Sequence, residues 1–306
     1  MNRRDACKML GSAALVPGFA GLAKAATAWK PRYVLSSAMF GDMTVDTVLG
    51  EVKKAGCESV DIWRKVHGTQ REQIEEMGDE AFQALLRKHG VSLAVSTCYP
   101  LGPFRQDDEM RWVKKNGGAM TVCGTGNMGE KNPQGAEAKK QVSAFFEKLK
   151  PHYELAEELG ITMALENHGN SMLSHPDSIR HFIEQNPSKR VGIAFAPHHL
   201  ADHVDEIPKL IREIGNEQMP FIYFQEHHPS SKKTMAKEEE LKQLPGFGSL
   251  DYRPVLAAMR EIGFTGLAEI FMHPTPRGVP VLPTAGEITE VINRSRAYLD
   301  ECLATG

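Results

Sequence analysis

The sequence predicts a single α/β domain of the (β/α)8 TIM-barrel class, and three observations carry that expectation. Eight apolar, β-branched or aromatic runs of strand length recur along the chain, helical patterns lie between them, and most of those patterns end in glycine, the residue favoured just past a helix. Nearly continuous apolar strands alternating with helices imply a parallel sheet covered by helices. Eight such units suit a closed barrel better than an open doubly wound sheet, whose strands are usually fewer.

The strands are read, in order, as "YVLSSAMF" (33–40), "SVDIW" (59–63), "VSLAVSTCY" (91–99), "AMTVCG" (119–124), "ITMALENH" (161–168), "VGIAFA" (191–196), "PFIYFQEHH" (220–228) and "GLAEIF" (266–271). The helical patterns are "TVDTVLGEVKKAG", "DEAFQALLRKHG", "SAFFEKLKPHYELAEELG", "SIRHFIEQN", "EIPKLIREIG" and "DYRPVLAAMREIG". A last helix, "TAGEITEVINRSRAYLDECL" (284–303), closes the domain. The charged stretch "SSKKTMAKEEELKQ" (230–243) reads as a solvated excursion after the seventh strand.

Residues 1–26 are set aside as an export signal, which leaves 27–306 as one domain. Arg3, Arg4 and Lys8 precede an apolar stretch from Leu10 to Leu22, followed by the A-x-A-like cleavage site Ala23-Lys24-Ala25. The segment resembles a twin-arginine signal, although Asp5-Ala6-Cys7 departs from the bulky apolar residues usual after the arginines. It implies a periplasmic or otherwise exported protein. The apolar stretch is too short and too glycine-rich to span a bilayer, so no stable membrane insertion is expected.

The net formal charge of −3 comes with no basic stripe, which argues against nucleic acid as a partner. Cys57, Cys98, Cys123 and Cys302 show no C-x-x-C spacing and read as ordinary buried thiols, although an exported protein could oxidise a pair such as Cys98 with Cys123. The sequence leaves the oligomeric state open.

A barrel of this class places its chemistry at the C-terminal ends of its strands. There the fifth strand offers Glu166, Asn167 and His168, and the sixth offers His198 and His199. The seventh offers Gln225, Glu226, His227 and His228, and the eighth offers Glu269 with His273 just beyond. Alternation along a strand puts Glu166 and His168 on one face, and likewise Gln225 and His227. A glutamate inside "MALENHG" or "GLAEIF" is expensive to bury unless it is paired or binds a metal. Near the rim, Trp63 and His67 are candidates to stack on the flat face of a substrate, and Arg277 in "HPTPRG" is a candidate partner for a substrate carboxylate or phosphate.

One competing motif is set aside. "GTGNMG" (124–129) satisfies G-x-G-x-x-G but follows the fourth strand, opens onto Lys131-Asn132-Pro133 rather than a helix, and lacks an acidic strand end about 20 residues on. It reads as a flexible loop.

The combination of "MALENHG", a sixth strand ending "APHHL", the run "LPGFGSLDYRPVLAAMREIGFTGLAEIF" and the twin-arginine-like leader resembles the exported sugar phosphate isomerase/epimerase proteins of the xylose isomerase-like TIM-barrel superfamily. The likeness extends from about 33 to 303. It implies a divalent metal, Mn, Mg, Co or Zn, held by groups on strands five to eight, with Glu166 and Glu269 matching the first and last ligands. Gln225 matches the strand-seven ligand, with His227 as the rival. The family's strand-six pattern is D-x-x-H. Here Ala196 stands at the aspartate position and His199 matches the substrate-contacting histidine.

Loss of that anionic ligand leaves three readings open: His198 or His168 supplies nitrogen, the metal binds more weakly with water and substrate oxygens, or the site works without metal. With a metal, the resemblance implies a small carbohydrate as partner and sugar isomerase or epimerase chemistry through an enediolate. Glu166 and Glu269 would then be base and acid, and His199 would bind a substrate oxygen. His168 and His227 remain as further substrate-binding candidates. The alternatives are a 3-keto-sugar lyase acting by β-elimination and a non-catalytic carbohydrate-binding barrel.

Overall fold

A computed structural model describes residues 29–126 and 128–306; the expected export segment lies outside the described residues. The eight strands close into one parallel barrel in sequence order, with β8 hydrogen-bonded back to β1. They are β1 (Arg32–Ser36), β2 (Ser59–Trp63), β3 (Ser92–Thr97), β4 (Met120–Gly124), β5 (Thr162–Glu166), β6 (Val191–Phe195), β7 (Phe221–Phe224) and β8 (Leu267–Ile270). The helices are α1 (Val45–Glu51), α2 (Gln70–Met77), α3 (Asp79–His89), α4 (Asp107–Lys115), α5 (Gly135–Leu159), α6 (Pro176–Gln185), α7 (Ile207–Gln218), α8 (Lys237–Glu240), α9 (Arg253–Glu261) and α10 (Ala285–Thr305). No helix among the described residues is long and apolar enough to cross a membrane.

The strands are buried because each is covered on both sides, by the barrel interior and by the helices. Every residue of β6 and β7 is buried, and the core is continuous from Val34 to Cys302. Helix ends follow their local chemistry. Gly90 and Gly160 close α3 and α5 in the left-handed region, at φ +63° and +68°. Thr284 and Glu287 form a reciprocal capping box at the start of α10.

Three expectations need correction. The fifth and seventh strands stop at Glu166 and Phe224 rather than running to 168 and 228, and the first turns at Ser37 into a 3-10 helix. In the fifth and seventh strands the polar strand end leaves the ladder for loops at the barrel mouth, whereas the end of the first is a buried, mostly apolar turn, Ser37–Phe40. Helices α2 and α4 were not among the expected patterns, although α4 carries Asp107, Asp108 and Glu109 in its first turn and Lys114 and Lys115 in its last, as the helix dipole favours.

The charged excursion after β7 is only partly solvated: Ser230, Glu240 and Gln243 are buried. Gln243 is its anchor. Its side-chain amide donates to the His273 carbonyl at 2.8 Å and to Ser230 Oγ at 3.0 Å, while its Oε1 accepts from the His273 N–H and from Gln225 Nε2, each at 3.0 Å. This segment therefore pins the ends of β7 and β8 together. "GTGNMG" forms the loop after β4, and the next helix begins only at Gly135, consistent with the loop reading. All four described cysteines are free and buried, and burial pushes the Cys98 thiol up to about 12.

Candidate active site at the barrel mouth

Asn167, just past the end of β5, links the fifth and sixth strands. Its Nδ2 donates to the Ala196 carbonyl at 3.0 Å, and its Oδ1 accepts from the Ala196 N–H at 2.7 Å. This clamp starts the 3-10 turn Pro197–Glu206, which the His199 N–H helps close by donating to the Ala196 carbonyl at 3.2 Å. The two histidines after β6 are thereby swung over the fifth strand. The His199 ring lies 3.9 Å from that of His168 and 4.0 Å from that of His198, centroid to centroid.

Glu166 lies beneath them and is 4% exposed. The Tyr99 hydroxyl, from the turn after β3, donates to its Oε2, and His199 Nε2 stands 3.7 Å from its Oε1. Glu166, His168 and His199 each offer a ligand atom, all within 4.8 Å of one another. Burial raises the Glu166 pKa above the usual carboxylate value, against the opposing pull of His168 and Tyr99. Burial, then the neighbouring histidines, holds His199 well below the ordinary imidazole value, so it is neutral near pH 7 and can present a lone pair. Tyr99 is pushed up by burial and by Glu166 and keeps its proton, as its donor role requires.

These donors suit a metal. His199 Nε2 is buried without a hydrogen-bond partner, and one carboxylate oxygen with two imidazole nitrogens is a set favoured by Zn and other borderline ions over Mg.

The other residues singled out from the sequence lie elsewhere. Glu269 is fully buried, within hydrogen-bonding reach of Asp61 on β2, and is not part of the Glu166 grouping. Gln225 is buried and donates to Gln243. Gln225 and His227 do not share a face as alternation implied: the strand has ended at Phe224, and His227 is exposed. His198 and His227 line a separate cavity of about 330 Å³ with Glu226, Ser249 and Leu250.

Trp63 is 1% exposed and stacks on Phe271 at 4.7 Å and 18°, so it forms the floor of the mouth. His67 stands over its edge at 5.2 Å, and Arg277 is half-buried in the loop after β8.

Four polar residues of this region were not singled out from the sequence. Tyr99, Tyr223 and Gln243 give no local signal, being a tyrosine at a strand end, a tyrosine inside an apolar strand and a glutamine in a charged run. Asp61 does: an acid inside "SVDIW" is the same anomaly that drew attention to Glu269 in "GLAEIF".

Known proteins share this architecture. A solved structure of the IOLI protein with a bound zinc atom is 15% identical, with a TM-score of 0.67 over 90% of this chain and 98% of that one. D-psicose 3-epimerase solved in the presence of D-fructose is 13% identical, with a TM-score of 0.65 over 89% and 99%. The 3-keto-D-glucoside 4-epimerase YcjR from E. coli is 14% identical, with a TM-score of 0.65 over 89% and 100%. At such identities the likeness is one of fold. No curated protein sequence matches the chain. The family model described as xylose isomerase-like TIM barrel matches residues 49–299, and the chain belongs to that family.

Proposed function

We propose that the chain is a sugar isomerase or epimerase that moves a carbon-bound proton of a keto or aldo sugar at the Glu166 carboxylate. The observation that carries this reading is the Glu166–His168–His199 grouping at the C-terminal mouth of a barrel of this family, with Tyr99 on one Glu166 oxygen and His199 facing the other. Solved structures of the same fold include D-psicose 3-epimerase and L-ribulose 3-epimerase, which adds support.

Glu166, His168 and His199 would hold a divalent cation, which when bound stabilises negative charge developing on the sugar oxygens. The chain's own residues do the rest. Burial makes Glu166 a stronger base than a solvated carboxylate. Its Oε2 keeps a second lone pair beside the Tyr99 hydrogen bond and can take the proton there. With its Nε2 lone pair turned to the cation, neutral His199 would keep its other ring N–H to donate to a sugar oxygen.

Aldose–ketose isomerisation needs one base, which takes the proton and returns it to the neighbouring carbon, whereas epimerisation needs a second group on the opposite face. Glu269, the residue the resemblance implies for that face, is fully buried against Asp61, which favours isomerisation. Export is part of the proposal and rests on Arg3, Arg4 and the A-x-A site. Replacing both arginines by lysine is expected to hold the precursor in the cytoplasm.

The test is solvent deuterium incorporation across a panel of aldoses, ketoses and 3-keto sugars, with and without chelator. Deuterium at the carbon beside the carbonyl, lost in Glu166→Gln, is the expected result. An enone product identifies the β-eliminating lyase instead. Binding without exchange identifies a carbohydrate-binding barrel.

A further inference from the structure

Arg277 differs in its surroundings from Arg64, Arg71 and Arg180. Arg64 and Arg71 pair with Glu72, Glu75 and Glu109, and Arg180 pairs with Glu206 and Glu213. Arg277, half-buried in the loop after β8, has no acidic partner within 4.0 Å among the described residues, and its one hydrogen bond is a 3.4 Å contact to the Pro274 carbonyl. Burial without compensation lowers its pKa to about 10. A cation drawn out of water and left unpaired is unfavourable unless something else supplies the negative charge.

Its surroundings offer more donors and no acid. His273 Nδ1 is buried without a partner, and the His273 ring lies 5.1 Å from that of His67. Both ring nitrogens of the neighbouring His198 are likewise buried and unpartnered. Burial, then the Arg277 charge, holds His67 and His273 below the ordinary imidazole value, so each is neutral and carries one N–H to donate.

The arrangement is held in place. Gln243 fixes the His273 backbone through both its N–H and its carbonyl. Gly278, at φ +80°, packs so closely on the Val66 carbonyl that a Cβ there would sit 2.7 Å from it, which joins the β8 loop to the β2 loop carrying His67. His67 in turn packs against Tyr99, whose hydroxyl holds Glu166.

We propose that Arg277, His67 and His273 form an anion subsite at the rim of the barrel, so that the substrate is a sugar bearing a carboxylate or a phosphate. This deepens the isomerase reading and rests on it only for the word substrate. The bidentate face of Arg277 suits either group, and the neutral imidazoles donate to its remaining oxygens.

Calorimetric titration of the chelator-treated full chain with inorganic phosphate, D-glucuronate and D-glucose tests the subsite apart from any metal. At least one anion is expected to bind more than tenfold more tightly than D-glucose, and the tighter of the two identifies the group. Arg277→Gln is expected to weaken that anion at least tenfold and to leave D-glucose unchanged. Arg277→Lys, which keeps the charge but not the fork, should lose less. Equal affinity for anion and D-glucose in the wild type, or unchanged anion affinity in Arg277→Gln, overturns the proposal. Deuterium exchange separates the two readings: exchange into neutral sugars without anion binding removes the subsite alone, whereas anion binding without exchange into any sugar leaves the subsite and removes the isomerase.

Discussion

Asp61 on β2 and Glu269 on β8 meet inside the barrel, on the two strands that flank β1, and both are fully buried. No arginine, lysine or histidine forms an ion pair with either among the described residues. Thr97 Oγ1 donates to Asp61 Oδ2 at 2.5 Å, while Asp61 Oδ1 and both Glu269 oxygens have no well-formed hydrogen bond, although the Trp63 indole and the Ser36 hydroxyl stand close by and pull against the rise in proton affinity. Two carboxyls so placed cannot both ionise cheaply, so they share a proton. Burial lifts Asp61 to about 7, and burial with the Asp61 charge lifts Glu269 well above the usual carboxylate value.

That pair predicts how stability depends on pH. Above the ordinary carboxylate value, near 4, the unfolded chain has released these protons while the folded pair still holds them, Asp61 up to about 7 and Glu269 to higher pH. The pair's contribution is therefore complete below the unfolded value and is lost as pH rises through that window. Chelator-treated wild type should melt a few degrees lower at pH 8 than at pH 5, and Asp61→Asn, which removes the Asp61 share but not the burial of Glu269, should reduce that difference. Calorimetric melts across the range read it directly, and a slope unchanged in Asp61→Asn refutes the shared proton.

The metal grouping makes a second prediction. Glu166→Gln and His199→Ala should each weaken zinc more than about tenfold in competition with a fluorescent chelator, while Glu269→Gln and Gln225→Ala stay within a few-fold of wild type. A tenfold loss in Glu269→Gln and Gln225→Ala as well as in Glu166→Gln would instead place the ion between β5 and β8, as the family pattern implies.

Tyr99→Phe removes the donor to Glu166 Oε2 and leaves a buried acceptor unsatisfied. A loss of about 1–3 kcal/mol in urea unfolding is expected. Because the lost donor favoured the ionised carboxylate, the Glu166 pKa should rise further, and the acid limb of any exchange profile should move to higher pH.

Gln243→Ala breaks the hydrogen bonds that hold Gln225 and both backbone groups of His273. Stability should fall by about 2–4 kcal/mol, several bonds' worth with buried partners left unpaired. Gln243→Glu keeps the acceptor but buries a charge and turns a carboxylate oxygen on the His273 carbonyl, so it should be at least as destabilising as Gln243→Ala at neutral pH and recover part of the loss as pH falls and the carboxyl regains a donor.

Periodicity, turn chemistry and the cost of burying polar groups are local properties, and they were enough to identify the closed eight-stranded barrel, the strand ends bearing Glu166 and His199, and the free buried cysteines. The tertiary structure decided which of those side chains meet. Alternation pairs Gln225 with His227 only while the strand continues, and it ends at Phe224. Asp61 meets Glu269 because closing β8 onto β1 brings β2 and β8 within reach, a register that no local window contains. Tyr99, from the turn after β3, reaches Glu166 on β5, and Gln243 joins two strand ends from a segment that reads as solvated. A hydrogen bond between residues far apart in sequence depends on strand stagger and loop path, and neither leaves a periodic trace in the residues themselves.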